Sequence, residues 1–224
     1  MNVLITGCSR GIGREVLELL LKNKKIETVF ALSSNIAKLP IHELIIPIEV
    51  DFIKENWFNK VIEIIGDKAI HCIINNAGYL YNGLTGVIPN NEIYKMVTIN
   101  YIAPLNLIQG LLSNLKLGRA HIVNISSMGG YSGSSKFPGL SVYSSTKAAL
   151  ANLSECWAEE LKEFGIVSNC LALGAVNTEM LNEAFPGYDA PVTAPQIAQI
   201  IVEFSFNFSK VMNGKIIPIS ASTP

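Results

Sequence analysis

Short apolar runs alternate with amphipathic stretches along the whole 224-residue chain. No other feature constrains the fold as strongly, because successive β-α units pack as a parallel sheet with helices on its faces. Strands are predicted near Asn2–Thr6, Glu27–Leu32, Leu44–Glu49, Ala69–Asn75, Ala120–Ser126, Ile166–Leu171 and Lys215–Ile219. Helices are predicted near Gly11–Lys22, Lys54–Ile65, Asn91–Leu115, Val142–Glu163 and Ala194–Phe206. The fourth helix carries the clearest stripe: Leu150, Leu153, Trp157, Leu161 and Phe164 recur at helical spacing, and Gly165 suits a left-handed cap. Its small-residue face (Ser144, Ser145, Ala148, Ala151, Asn152) is either solvated or closely approached by another helix. No linker-like stretch and no repeat of about 20 to 50 residues divides the chain. One domain over residues 1–224 is therefore expected.

Composition narrows the class. Hydrophobic residues make up 49% and charged residues only 16%, which suits a sheet covered on both faces. A net charge of -1 supplies no global field for nucleic acid or an anionic membrane, so neither is expected as a partner. No apolar run approaches the roughly 18 residues of a spanning helix. The start, Met1 to Gly7, lacks a basic leader, and a cytoplasmic location is expected. Four cysteines (Cys8, Cys72, Cys156, Cys170) and three histidines (His42, His71, His121) show neither disulfide nor metal-ligand spacing. Reduced thiols and no metal are the expectation.

The turn Thr6-Gly7-Cys8-Ser9-Arg10-Gly11-Ile12-Gly13 follows the first strand and opens the first helix. Gly7 permits a sharp turn, Gly11 lets backbone amides approach a pyrophosphate, and Gly13 brings helix and strand together. A helix N-terminus adds unpaired N–H groups and partial positive charge for an anion. Val50-Asp51 follows the third strand, where a carboxylate can accept a hydrogen bond from an adenine amino group or simply serve the turn.

Tyr143 and Lys147 lie four apart on one helix face. A free phenol has a pKa of about 10, and a nearby ammonium is expected to lower it towards the range of proton transfer. Asn75-Asn76-Ala77-Gly78 ends the fourth strand, Asn100 lies in the following helix, and Asn124-Ile125-Ser126-Ser127 ends the fifth. In a doubly wound sheet ligands sit at these carboxyl ends. Adjacent strand residues face opposite ways, so at most one of Ser126 and Ser127 is expected to face such a site, and Ser127 is favoured because it ends the Asn-Ile-Ser-Ser run.

Taken together, Thr6–Gly13, Asn75–Gly78, Asn100, Ser127, Tyr143 and Lys147 resemble the motifs of the short-chain dehydrogenase/reductase family, over essentially the whole chain. The resemblance implies a Rossmann-type, doubly wound parallel sheet of seven strands in the order 3-2-1-4-5-6-7. It implies reversible hydride transfer between a nicotinamide cofactor and a small carbonyl or secondary alcohol. Tyr143 would exchange the substrate proton, Ser127 would bond the carbonyl oxygen, and Asn100 would anchor a relay water. Lys147 would bind the nicotinamide ribose and tune Tyr143. The cofactor would lie along Gly7, Ser9, Arg10, Gly11, Ile12, Gly13, Ser33, Asp51, Asn76, Ala77, Gly78 and Thr178, reaching Tyr143 and Lys147. Residues 178–195 would form a substrate lid. Pairing through the helices near 91–115 and 142–163 would give a homodimer or homotetramer.

Some positions depart from the family pattern. Ser127 precedes Tyr143 by 16 positions, more than is usual. Leu173-Gly174 stands where the family has Pro-Gly, and Ile219-Ser220-Ala221-Ser222 lacks its glycine pair. Two other functions remain open on the same scaffold: a dinucleotide-binding signalling or sensor protein with little turnover, and a non-redox isomerase or lyase. For the cofactor, NADPH is favoured over NADH. The second strand runs Val29-Phe30-Ala31-Leu32 into Ser33-Ser34-Asn35 without a carboxylate, and Arg10 is placed to meet a 2′-phosphate.

Overall fold

Alternate residues of a strand point to opposite faces of a sheet, and the computed structural model, which describes residues 1–221, shows what covers each face. Ser222 lies outside the described residues. The chain runs β1 (Asn2–Thr6), α1 (Gly11–Lys22), β2 (Thr28–Ser33), β3 (Ile45–Glu49), α2 (Trp57–Ile65), β4 (Cys72–Asn75), α3 (Asn90–Val97), α4 (Ala103–Gly110) and α5 (Leu112–Gly118). It continues through β5 (His121–Ser127), α6 (Ser141–Glu160), β6 (Val167–Leu173), β7 (Val176–Asn177), α7 (Glu179–Ala184), β8 (Val192–Thr193), α8 (Ala194–Asn207) and β9 (Ile216–Ile219). Seven strands form one parallel sheet in the order β3-β2-β1-β4-β5-β6-β9, as the resemblance implied, and β7 pairs with β8 apart from it.

Each face has its own core. Val3, Ile5, Val29, Ala31, Ile74 and Val123 pack against Val16, Leu17 and Leu20 of α1 and Ile197, Ile201 and Phe204 of α8. Leu4, Phe30, Leu32, Ile73 and Ile122 pack against Val61 and Ile65 of α2, Leu107 and Ile108 of α4, and Trp157 of α6. Burying each such aliphatic or aromatic side chain is worth about 1.5–3 kcal/mol. Strand order reverses between β1 and β4, so a crevice opens over their carboxyl ends. No helix among the described residues is long and apolar enough to cross a membrane.

The helix expected over 91–115 is not continuous. α3 passes into a π-helical turn at Thr98–Ile102, where the Ala103 N–H reaches back to the Thr98 carbonyl, and a further break at Leu111 separates α4 from α5. Pro104 explains the first interruption. It has no N–H for the Asn100 carbonyl four residues back, and its ring would clash with that carbonyl in a regular helix. The helix expected to Glu163 ends at Glu160 in a 3₁₀ turn, with Gly165 at φ +72° as its left-handed cap. The strand expected from Ala69 begins only at Cys72, and the one expected to end at Leu171 extends to Leu173.

Candidate active site

A cavity of about 810 Å³ occupies the crevice. The glycine turn forms one end. Gly7 (φ +69°) lies so close to the chain after β4 that a Cβ there would sit 2.7 Å from Ala77 Cα. A Cβ on Gly13 would sit 2.2 Å from the Gly7 carbonyl oxygen and 2.4 Å from Asn76 Nδ2. Thr6 and Asn76 close this junction. Thr6 Oγ1 accepts from the Asn76 and Ala77 N–H groups (3.1 and 2.9 Å), and Asn76 Nδ2 donates to the Thr6 and Gly7 carbonyls (3.1 and 3.0 Å). Asn76 therefore fixes the turn as well as lining the cavity.

Arg10 at the N-cap of α1 makes no side-chain capping bond. The first-turn N–H groups, Gly11 and the positive end of the helix are thus left facing the cavity, a cradle suited to a pyrophosphate. Ser9, Arg10, Ile12, Ser33, Asp51, Ala77, Gly78 and Thr178 line the same cavity. Asp51 also serves its turn, with Oδ1 accepting from the Ile53 N–H at 3.2 Å. Ser33 Oγ accepts from the Asn35 N–H at 3.2 Å, and Thr178 Oγ1 caps α7 through the Leu181 N–H at 3.3 Å.

Ser127, Tyr143 and Lys147 form the other end. Neighbouring strand positions separate the two serines. Ser126 is 3% exposed and donates to the Lys147 carbonyl at 2.8 Å, tying β5 to α6. Ser127 is half-buried and accepts from the Gly129 N–H at 3.1 Å. Lys147 is buried, with Nζ donating to the Ile125 carbonyl at 2.8 Å and 6.0 Å from the Tyr143 ring centre.

The acid–base properties differ from the expectation of a lowered phenol pKa. Burial pushes Tyr143 up to about 12, and the nearby Ser127 hydroxyl, which works the other way, does not offset it. Burial also pulls Lys147 down to about 8, against a smaller opposite influence from Cys170. An ammonium held on a backbone carbonyl 6.0 Å from the ring does not overcome desolvation. At neutral pH the site holds a protonated phenol.

Asn100 is fully buried and does not line the cavity. Its side-chain carbonyl accepts from the Tyr79 N–H at 2.7 Å, and its Nδ2 donates to the Tyr79 carbonyl at 2.9 Å and to Thr146 Oγ1 at 3.0 Å. Thr146 Oγ1 donates in turn to the Tyr143 carbonyl at 2.8 Å. Through these side-chain bonds Asn100 positions the Tyr79 loop and, by way of Thr146, the backbone of Tyr143.

Further residues complete the walls, three of them from the segment expected to form a lid. Met128 and Leu140 follow β5, and Met180, Leu181 and Phe185 come from α7 and its end. This six-residue helix carries too little periodicity to be read from sequence; only Thr178 before Glu179 signals its cap. Glu179 and Glu183 stand on it as well. Arg10, expected to be available to a ligand, is ion-paired with Glu183. No group of three or more metal-ligating side chains occurs among the described residues.

A family model described as short chain dehydrogenase matches residues 1–189. Among curated proteins, the short-chain dehydrogenase PC-15 of Penicillium crustosum is 33% identical over 189 residues, covering 79% of this chain and 66% of the relative. The chain thus spans just under two thirds of that relative's length. A solved short chain dehydrogenase family protein from Francisella tularensis subsp. tularensis SCHU S4 has a TM-score of 0.86 at 28% identity, covering 98% of this chain and 96% of the other. ElxO, solved with NADP bound, has a TM-score of 0.81 at 27% identity, with the same coverage.

Proposed function

Since this chain belongs to the short-chain dehydrogenase/reductase family, we propose that it transfers a hydride reversibly between a nicotinamide cofactor and a small carbonyl or secondary alcohol. One observation carries the reading: a protonated phenol, a serine hydroxyl and a buried lysine share a cavity with an uncapped helix N-terminus. The cofactor supplies the hydride when bound. The first turn of α1 holds its pyrophosphate, and Asp51 meets the adenine.

Tyr143 then acts as the acid in carbonyl reduction. A phenol whose pKa is pushed up to about 12 keeps its proton at neutral pH and can give it to an oxygen that becomes an alkoxide. Ser127 donates a hydrogen bond to the same oxygen. Lys147 reaches the nicotinamide ribose and, while charged, favours the phenolate left behind. Asn100 keeps the Tyr143 backbone in place through Thr146. Met128, Leu140, Met180, Leu181 and Phe185 suit an apolar substrate body.

NADPH is the favoured cofactor. β2 ends in Ser33 without a carboxylate, Arg10 lines the cavity, and the related ElxO holds NADP. The test is a carbonyl panel followed by cofactor absorbance. Tyr143→Phe should reduce turnover by at least about 100-fold while cofactor affinity stays within a few-fold. Retained turnover would remove Tyr143 from the chemistry, and catalytic efficiency equal or higher with NADH would refute the cofactor preference.

A further inference from the structure

Arg10 and Glu183 join two rims of the cavity that are 173 positions apart in sequence. Arg10 belongs to the glycine turn that lines the cavity, and Glu183 belongs to α7. Their contact is a two-point ion pair, Nη1 to Oε1 and Nη2 to Oε2, the second at 3.2 Å. The same helix leans on the glycine turn through Glu179, whose Oε2 lies 3.4 Å from where a Cβ on Gly11 would stand. On its far side Asn82 Nδ2 donates to the Ala184 carbonyl at 3.0 Å. α7 is thus held down across the cavity mouth while Met180 and Leu181 wall the interior.

The guanidinium fork that grips Glu183 is the fork a phosphate monoester would take. We propose that Glu183 is a cofactor-specificity residue acting through Arg10: it competes with the 2′-phosphate for the guanidinium, so that a 2′-phosphorylated adenosine frees α7 and an unphosphorylated one leaves it latched. The inference rests on the cofactor reading above. Charge favours the exchange, because a phosphate monoester carries about -1.5 to -2 against a single carboxylate charge. The displaced Glu183 has 62% of its side chain exposed and returns to water easily.

The test uses the full chain and two probes without nicotinamide, adenosine 2′,5′-bisphosphate and adenosine 5′-monophosphate, titrated calorimetrically. Glu183→Gln should tighten the bisphosphate by about two- to fivefold, the range of an exposed ion pair, and leave the monophosphate unchanged. In an Arg10→Ala background the same substitution should have no effect on either probe. Amide hydrogen exchange across residues 179–188 should quicken with the bisphosphate and not with the monophosphate. A Glu183→Gln protein that binds the bisphosphate more weakly, or shifts both probes equally, overturns the competition, as does exchange that ignores the 2′-phosphate. If neither probe binds, the cofactor reading falls with it; if both bind without these differences, only the latch falls.

Discussion

Lys147 makes the free protein less stable than it would otherwise be, and the size of that effect follows from its burial. The side chain is 3% exposed, and its pKa is pulled from 10.5 to about 8. A folded-state value below the unfolded one means that the unfolded chain binds the proton more tightly. The native state therefore bears the full cost below about pH 8, and recovers it as pH rises towards 10.5. At about pH 7 the cost is roughly 3 kcal/mol, and near pH 9.5 it has fallen to roughly 1.4 kcal/mol. Lys147→Met removes the charge and keeps most of the volume. Loss of the hydrogen bond to Ile125 offsets about 1 kcal/mol of the gain. The net expectation is an inactive protein about 2 kcal/mol more stable at about pH 7, with Tm raised by roughly 4–8 °C. Near pH 9.5 the two proteins should be almost equal. The difference between them is the quantity to read, from urea unfolding at both pH values. Cys8, Cys72, Tyr79 and Tyr143, whose pKa values are raised by burial, lower stability at high pH in both proteins alike. Cys170 is raised to about 11 by burial, with Lys147 working the other way, so its unfolded thiol titrates alike in both proteins and a difference from it enters only as pH approaches 11. A variant that is less stable at neutral pH, or a difference that does not shrink with pH, would refute the reasoning.

Acid should act through His121. Its Nδ1–H bonds the Ser205 carbonyl, Nε2 accepts from Asn169, and burial lowers its pKa from 6.5 to about 4. The neutral native ring is a stabilising feature above pH 6.5 that is lost as pH falls towards 4, about 3 kcal/mol in all; unfolding of His121→Gln should show a flatter acid limb, and an unchanged limb would exclude His121. For assembly, Val97, Tyr101, Val142 and Ala149 line a shallow groove between the helical segments that the family resemblance pairs. Light scattering at micromolar concentration should give a dimer or tetramer, and a mass near 24.3 kDa would count against pairing.

Short-range pattern was enough to find the sheet, its two covered faces and the residues at its mouth. The alternation of Val3 and Ile5 with Leu4 between the two cores and the helical spacing of Leu150, Trp157 and Leu161 are local consequences of strand and helix geometry, and they survive in any tertiary setting that buries them. The same holds for Tyr143 and Lys147, which one turn of α6 must place on one face, and for the glycine turn, whose Gly13 leaves no room for a Cβ. Other features depended on partners distant in sequence. The separate tasks of Ser126 and Ser127 needed α6 packed on β5, whereas the interruption at Thr98–Ile102 has its cause close by, in Pro104, a local signal that the expectation of a continuous helix passed over. The raised Tyr143 pKa came from the protein packed around its ring at the end of the cavity, where desolvation outweighs a charge 6.0 Å from the ring. Glu183 could not be found from sequence at all: its meaning lies in Arg10, and an ion pair across 173 positions leaves no periodic trace in the chain that makes it.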